Sequence, residues 1–92
     1  MIQSFYNTNN AILDLYTKAI PKAHGQHHPE VFKVRTIYKE IQNKINHNQY
    51  DLTNEFSQLR IITNDYFIPN DVCGTFKATY EMLKAFDEIS TQ

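Results

Sequence analysis

Cysteine is almost missing from this chain. Cys73 stands alone, so no internal disulfide can form and the metal-binding patterns built from paired cysteines are excluded. Glycine and proline are nearly as scarce, at two and three residues, so each marks a place where a regular element breaks. Charge of one sign is lacking too. Nine Lys plus Arg against ten Asp plus Glu leave a formal net charge of −1, which supplies no basic footprint for nucleic acid. The apolar runs are only a few residues long, against the roughly 20 that a spanning helix needs, so no membrane insertion is expected. The N-terminus has no basic segment followed by an apolar run, and with a single thiol this points to the cytoplasm. No G-x-S-x-G, Walker-type loop, C-x-x-C or H-E-x-x-H occurs, and the chain carries too few catalytic residues at useful spacing to read as an enzyme.

What remains is a chain that should fold. Hydrophobic residues make up 41% and aromatic residues 13%, enough to exclude a disordered segment, and 92 residues suit a single domain over 1–92. Periodicity predicts helices only. The first runs from about Asn9 to Ala23 with Ile12, Leu13, Tyr16, Ala19, Ile20 and Ala23 on one broad face. Met1 to Thr8 either prolong it or form a separate turn, Asp14 and Lys18 are spaced to pair along it, and Pro21 should kink or end it. A second helix opens with His27 or His28 near the cap and Pro29 at the first position. It continues to about Ile45 on Val31, Val34, Tyr38, Ile41 and Ile45, broadened by Phe32 and Ile37, with Glu40 and Lys44 spaced to pair. A third, from about Asp51 to Thr63, turns Leu52, Phe56, Leu59 and Ile62 inward. Asn70 or Asp71 caps a fourth, whose stripe is Val72, Phe76, Tyr80, Leu83 and Phe86 and whose tail frays after Ile89. Four stripes of this kind are buried by a small antiparallel four-helix bundle, with the tyrosines at the core's edge.

Histidine is the one residue type that could carry chemistry, with His24, His27 and His28 close together and His47 further on. His24 lies one turn beyond Ile20 and can point along the apolar side of the first helix. His47 and Asp51 are spaced to share a helix face. His24, His47 and Asp51 are therefore the candidate metal ligands, two imidazoles and one carboxylate. Against this, His47 and Asp51 sit roughly 200° and 240° round from Ile45 on a helix of 3.6 residues per turn. They then face water, or Asp51 caps the third helix. His27-His28-Pro29-Glu30 reads as a helix entry, and Cys73, in the first turn of the fourth helix, as a buried structural thiol or else a redox-sensitive one.

Two stretches resemble a known family. Ala23-His24-Gly25 through His28-Pro29-Glu30 to Val34-Arg35 is similar to a V-H-G-x-x-H-P-E-x-x-x-V-R run. Leu59-Arg60-Ile61-Ile62-Thr63-Asn64-Asp65-Tyr66, Pro69, Asp71, Cys73, Thr75-Phe76, Tyr80 and Leu83 are similar to L-R-x-x-T-N-D-Y-x-x-P-x-D-x-C-x-T-[FY]. Both belong to the hemerythrin-like di-iron proteins of iron-sulfur cluster repair, which act in the response to oxidative or nitrosative stress. Together the stretches cover most of residues 11 to 88. The resemblance implies a hemerythrin-like bundle, and His24 matches a ligand position of that family. It implies no complete di-iron centre, because no histidine stands near Gln3, no H-M-x-K-E-E follows the second helix, and the sequence ends at Gln92, where a last H-x3-E would begin. His47 could stand in for either of two family histidines. The expectation is a truncated homologue without a cofactor, working through a protein partner or as a homo-oligomer. Its shortened helices should leave Phe76, Leu83 and Phe86 incompletely covered. The alternative is an iron-binding protein with a reduced or intersubunit site around His24.

Overall fold

The structure, a computed structural model, describes residues 1–91. Helix α1 spans Ile2–His24, α2 Glu30–Asn46, α3 Thr53–Ile62 and α4 Gly74–Ser90. With no strand among the described residues, the fold is the expected all-helical bundle. The contacts at the helix ends fix the directions. Phe5, at the start of α1, packs 4.8 Å from Phe86 near the end of α4, while His24, at the end of α1, meets Phe76 in the first turn of α4. These two helices are antiparallel. Lys44, in the last turn of α2, reaches Glu55 in the first turn of α3, across the connection that joins them.

Helix α1 is longer than its periodicity predicts, because Met1 to Thr8 prolong it. Its 23 residues, at 1.5 Å each, make a rod of about 35 Å, matching the 36 Å long axis of the molecule. Pro21 does not break it. It falls in the last full turn, where only a short stretch of helix follows and the Gly25 N–H still donates to the Pro21 carbonyl. The inward face also differs from the expected one. Tyr6, Leu13, Thr17 and Ile20 are buried, whereas Ile12 is 46% exposed. Thr17 can occupy the inner face because its hydroxyl donates to the Leu13 carbonyl at 2.7 Å. The centre of the stripe therefore shifts by about a residue, and Ile12 and Leu15 turn outward.

The other three apolar stripes lie where expected, with local corrections. In α2, Val31, Val34, Ile37, Tyr38, Ile41 and Ile45 are buried, but Phe32 is 56% exposed. Phe32 lies over Gly25, where an added Cβ would come within 2.5 Å of its ring and of the Pro21 oxygen. The helix begins at Glu30, with Pro29 as its cap. Leu52, the residue before α3, and Phe56 and Leu59 within it are buried and Ile62 is half-buried; in α4, Phe76, Tyr80, Leu83 and Phe86 are buried, and Val72, in the connection before it, is half-buried. Phe76, Leu83 and Phe86 are each 0% exposed, which overturns the expectation of an uncovered face. Phe86 is covered by Phe5 of the N-terminal extension of α1 and by Phe56 of α3, and Phe76 by the rings of His24 and His28 at the other end of the bundle.

Polar side chains tie the bundle together across helices rather than along them. Asp14 meets Arg35 and Lys39 of α2 instead of Lys18, and Lys44 meets Glu55 instead of Glu40. Tyr38 donates to the Asn10 Oδ1 at 2.7 Å, and Gln42 donates to Asn10 and to Asp14. The hydrogen bond from Gln42, reinforced by the Arg35 guanidinium, holds the Asp14 carboxyl below its ordinary value. Between α3 and α4, Arg60 donates to both Asp87 oxygens at 2.7 and 2.9 Å, and Tyr66 donates to Asp87 at 2.7 Å. Tyr66 reaches it from a turn in which Asn64, Asp65 and Tyr66 all have positive φ, between 53° and 60°. The Thr63 hydroxyl holds that turn, donating to the Leu59 carbonyl and accepting from the Tyr66 N–H.

Candidate functional site

The chemistry gathers at one end of the bundle, where α1 stops and α4 starts. His24 is the last residue of α1, and Cys73 is the cap of α4, in extended backbone conformation. Because the two helices run antiparallel, these two ends meet. His24 Nε2 lies 3.1 Å from Cys73 Sγ. Four residues on, the connection brings in His28, whose Nε2 lies 3.0 and 3.1 Å from the two Asp71 oxygens and whose Nδ1 lies 3.6 Å from Glu30. The edge of Phe76 forms the floor, with ring centroids 5.3 Å from His24 and 5.7 Å from His28.

Two corrections follow from this arrangement. Asp71 is not the cap of α4, because its carboxylate is committed to His28; that hydrogen bond holds the carboxyl below its ordinary value. Cys73 is not a buried structural thiol but an exposed one. Since α4 begins one residue after it, the side chain sits at the mouth of the helix rather than on its inner stripe.

The three residues singled out as metal ligands are not brought together. His24 belongs to this end, next to the start of α2. His47 follows the end of α2, a helix of 17 residues and so about 25 Å away along its axis. His47 is exposed and donates from Nδ1 to the Asn43 carbonyl at 2.7 Å, while Asp51 accepts from the Thr53 N–H at 3.2 Å, in a cap-like contact at the entry to α3. Among the described residues no group of three or more His, Cys, Asp and Glu side chains is arranged to hold a metal ion.

The middle of the bundle does not suit an iron centre either. Leu13, Val34, Tyr38, Ile41, Phe56, Leu59, Phe76, Leu83 and Phe86 fill it at 0% exposure. The buried carboxylates already have partners, Glu55 in Lys44 and Asp87 in Arg60 and Tyr66. The side chains present therefore do not fit the di-iron site that the resemblance brings to mind.

Sequence reasoning missed the contacts His24 with Cys73 and His28 with Asp71, separated by 49 and 43 residues. The one available signal was that the two stretches carrying the resemblance contain all four residues. Comparison with family models, curated proteins and solved structures finds no match to this chain.

Proposed function

We propose that these residues form a non-catalytic protein-interaction domain, related to the hemerythrin-like cluster-repair proteins but without a di-iron centre. The observation that carries this reading is the outer face of α1. Ala11, Ile12 and Leu15 are exposed there, Ile12 at 46% and Leu15 at 61%, with Ala19 half-buried one turn further on. Spacings of three and four residues place them in one stripe on the longest helix of the bundle. A stripe of two small and two large apolar side chains, bordered by the exposed Lys18 and Lys22, suits the packing of another helix, and a second copy of the chain is the simplest partner, meeting it across a two-fold axis.

Sedimentation over a wide concentration range tests this. Self-association is expected, and replacing Leu15 with Glu should abolish it while the circular dichroism spectrum stays unchanged. A chain that remains monomeric at millimolar concentration overturns the proposal of a second copy as partner.

A second reading, iron held around His24, draws on the gathering of His24, His28, Asp71 and Cys73 at one end of the bundle. Elemental analysis after supply of ferrous iron decides it. Near-stoichiometric iron that is lost in His24→Ala establishes this reading, and protein that stays folded and iron-free removes it.

A further inference from the structure

We propose that the contact surface of this chain continues from α1 onto α4, and that a second copy seats on it with α1 of each copy lying over α4 of the other. The proposal rests on the reading of the outer face of α1 as a contact surface and adds how the partner copy is placed on it. Thr75, Ala78, Met82, Ala85 and Ile89 are all half-buried, and steps of three and four residues set them in one stripe along α4. Phe86, beside this stripe, meets Phe5 of α1, whereas Asp87, about 140° round the helix from Met82, meets Arg60 of α3. The stripe therefore runs alongside α1. A shallow cavity of about 330 Å³ whose lining includes Phe5, Thr8 and Ile89 marks the seam between the two helices at one end. Ile12, Leu15 and Ala19 continue the apolar strip on the α1 side of that seam, so two antiparallel helices share one surface.

The two edges of this strip carry opposite charge. Lys18 and Lys22, both exposed, stand along the α1 edge, and the single carboxylate of α1, Asp14, is turned to Arg35 and Lys39 of α2. Of the charged residues exposed on α4, Glu81 stands nearest the stripe and Glu88 next, with Lys77 and Lys84 further round. Among the described residues no charged side chain lies between the edges, as in an interface core enclosed by a polar rim.

Such a surface is complementary to itself. A two-fold axis lying between the copies and parallel to the helices turns the lysine edge of each onto the glutamate edge of the other. An axis across the helices sets like charges together instead. Lys18 and Glu81 both lie between the contact of Phe5 with Phe86 and that of His24 with Phe76, which puts them at comparable heights along the bundle. The charges thus select one arrangement, in which Lys18 faces the partner's Glu81.

Sedimentation equilibrium on the whole chain tests this. Lys18→Glu and Glu81→Lys, both at exposed positions, should each weaken the dimer about tenfold, because each sets like charges together at both symmetry-related contacts. An equimolar mixture of the two variants should recover the wild-type dissociation constant, since in the mixed pair each cation again faces a carboxylate. Met82→Glu, with its circular dichroism spectrum unchanged, should dissociate the dimer as Leu15→Glu does. If Leu15→Glu dissociates it while Met82→Glu leaves it intact and the mixture gains nothing, the second copy sits on α1 alone: this inference falls and the reading of α1 stands. A wild-type chain that is monomeric at millimolar concentration overturns both. Co-sedimentation of that monomer with vesicles of phosphatidylcholine and phosphatidylglycerol would assign the strip to a lipid surface instead.

Discussion

Three buried tyrosines offer the same chemical change in three settings. Tyr80 is 1% exposed and its hydroxyl has no hydrogen-bond partner among the described residues. The Tyr38 hydroxyl donates to Asn10, and that of Tyr66 donates to the buried carboxylate of Asp87. Burial pushes the pKa of all three phenols up, so each is neutral at pH 7 and replacement by Phe removes no charge. A buried hydroxyl without a partner costs about 1–3 kcal/mol, a neutral hydrogen bond contributes about 1 kcal/mol, and one to a charged group about 1.5–3 kcal/mol. Tyr80→Phe should therefore stabilise the bundle by about 1 kcal/mol. Tyr38→Phe should destabilise it by a similar amount, and Tyr66→Phe by about 2 kcal/mol, since Asp87 keeps Arg60. For a domain of this size each 1 kcal/mol moves Tm by about 4–8 °C. Thermal melts followed at 222 nm give the order directly. A Tyr80→Phe protein that melts at or below the wild-type temperature refutes the reasoning, because the hydroxyl would then have a partner in solution.

Asp87→Ala should cost about 2–4 kcal/mol in urea unfolding, less than a fully buried pair because Arg60 is 39% exposed and can turn to water. Combined with Tyr66→Phe the loss should fall short of the sum, since both changes remove the same hydrogen bond. Gly25→Ala should destabilise by about 1–3 kcal/mol, because the new methyl group meets both the Phe32 ring and a backbone oxygen. Stability should hold steady from pH 7 to about 5 and then fall. Asp14 and Asp71 are more acidic in the folded than in the unfolded chain, so their contribution is complete above the ordinary value of 3.8 and is lost as pH drops through the folded values. Asp14→Asn should flatten that acid limb in a pH series of urea melts.

The helices were legible because three of the four stripes repeat at helical spacing with few interruptions. Val31, Val34, Tyr38 and Ile41 could face nowhere but inward. The first helix was harder to read because its inner face includes Thr17, whose hydroxyl is satisfied within the helix, while Ile12 and Leu15 lie outside. Hydrophobicity alone rotates such a face the wrong way. The end cluster was illegible for another reason. His24 and Cys73 are 49 residues apart, and only the antiparallel packing of α1 against α4 makes them neighbours. The proposed ligands His47 and Asp51 illustrate the converse, because closeness in sequence suggested a shared face where the chain instead leaves α2 and turns.

The seam between α3 and α4 has a dynamic consequence. Helix α1 packs closely on α2 and α4, and α2 on α3, but α3 and α4 are bridged by long side chains: Phe56 to Phe86, and Arg60 and Tyr66 to Asp87. Helix α3 is also only 10 residues long, below the roughly 12–15 at which a helix stands on its own. It should therefore open as a latch over a unit of the other three helices. Its amide protons should exchange with solvent by partial opening, at lower free energy than those of α1, α2 and α4, which should exchange only when the whole bundle unfolds.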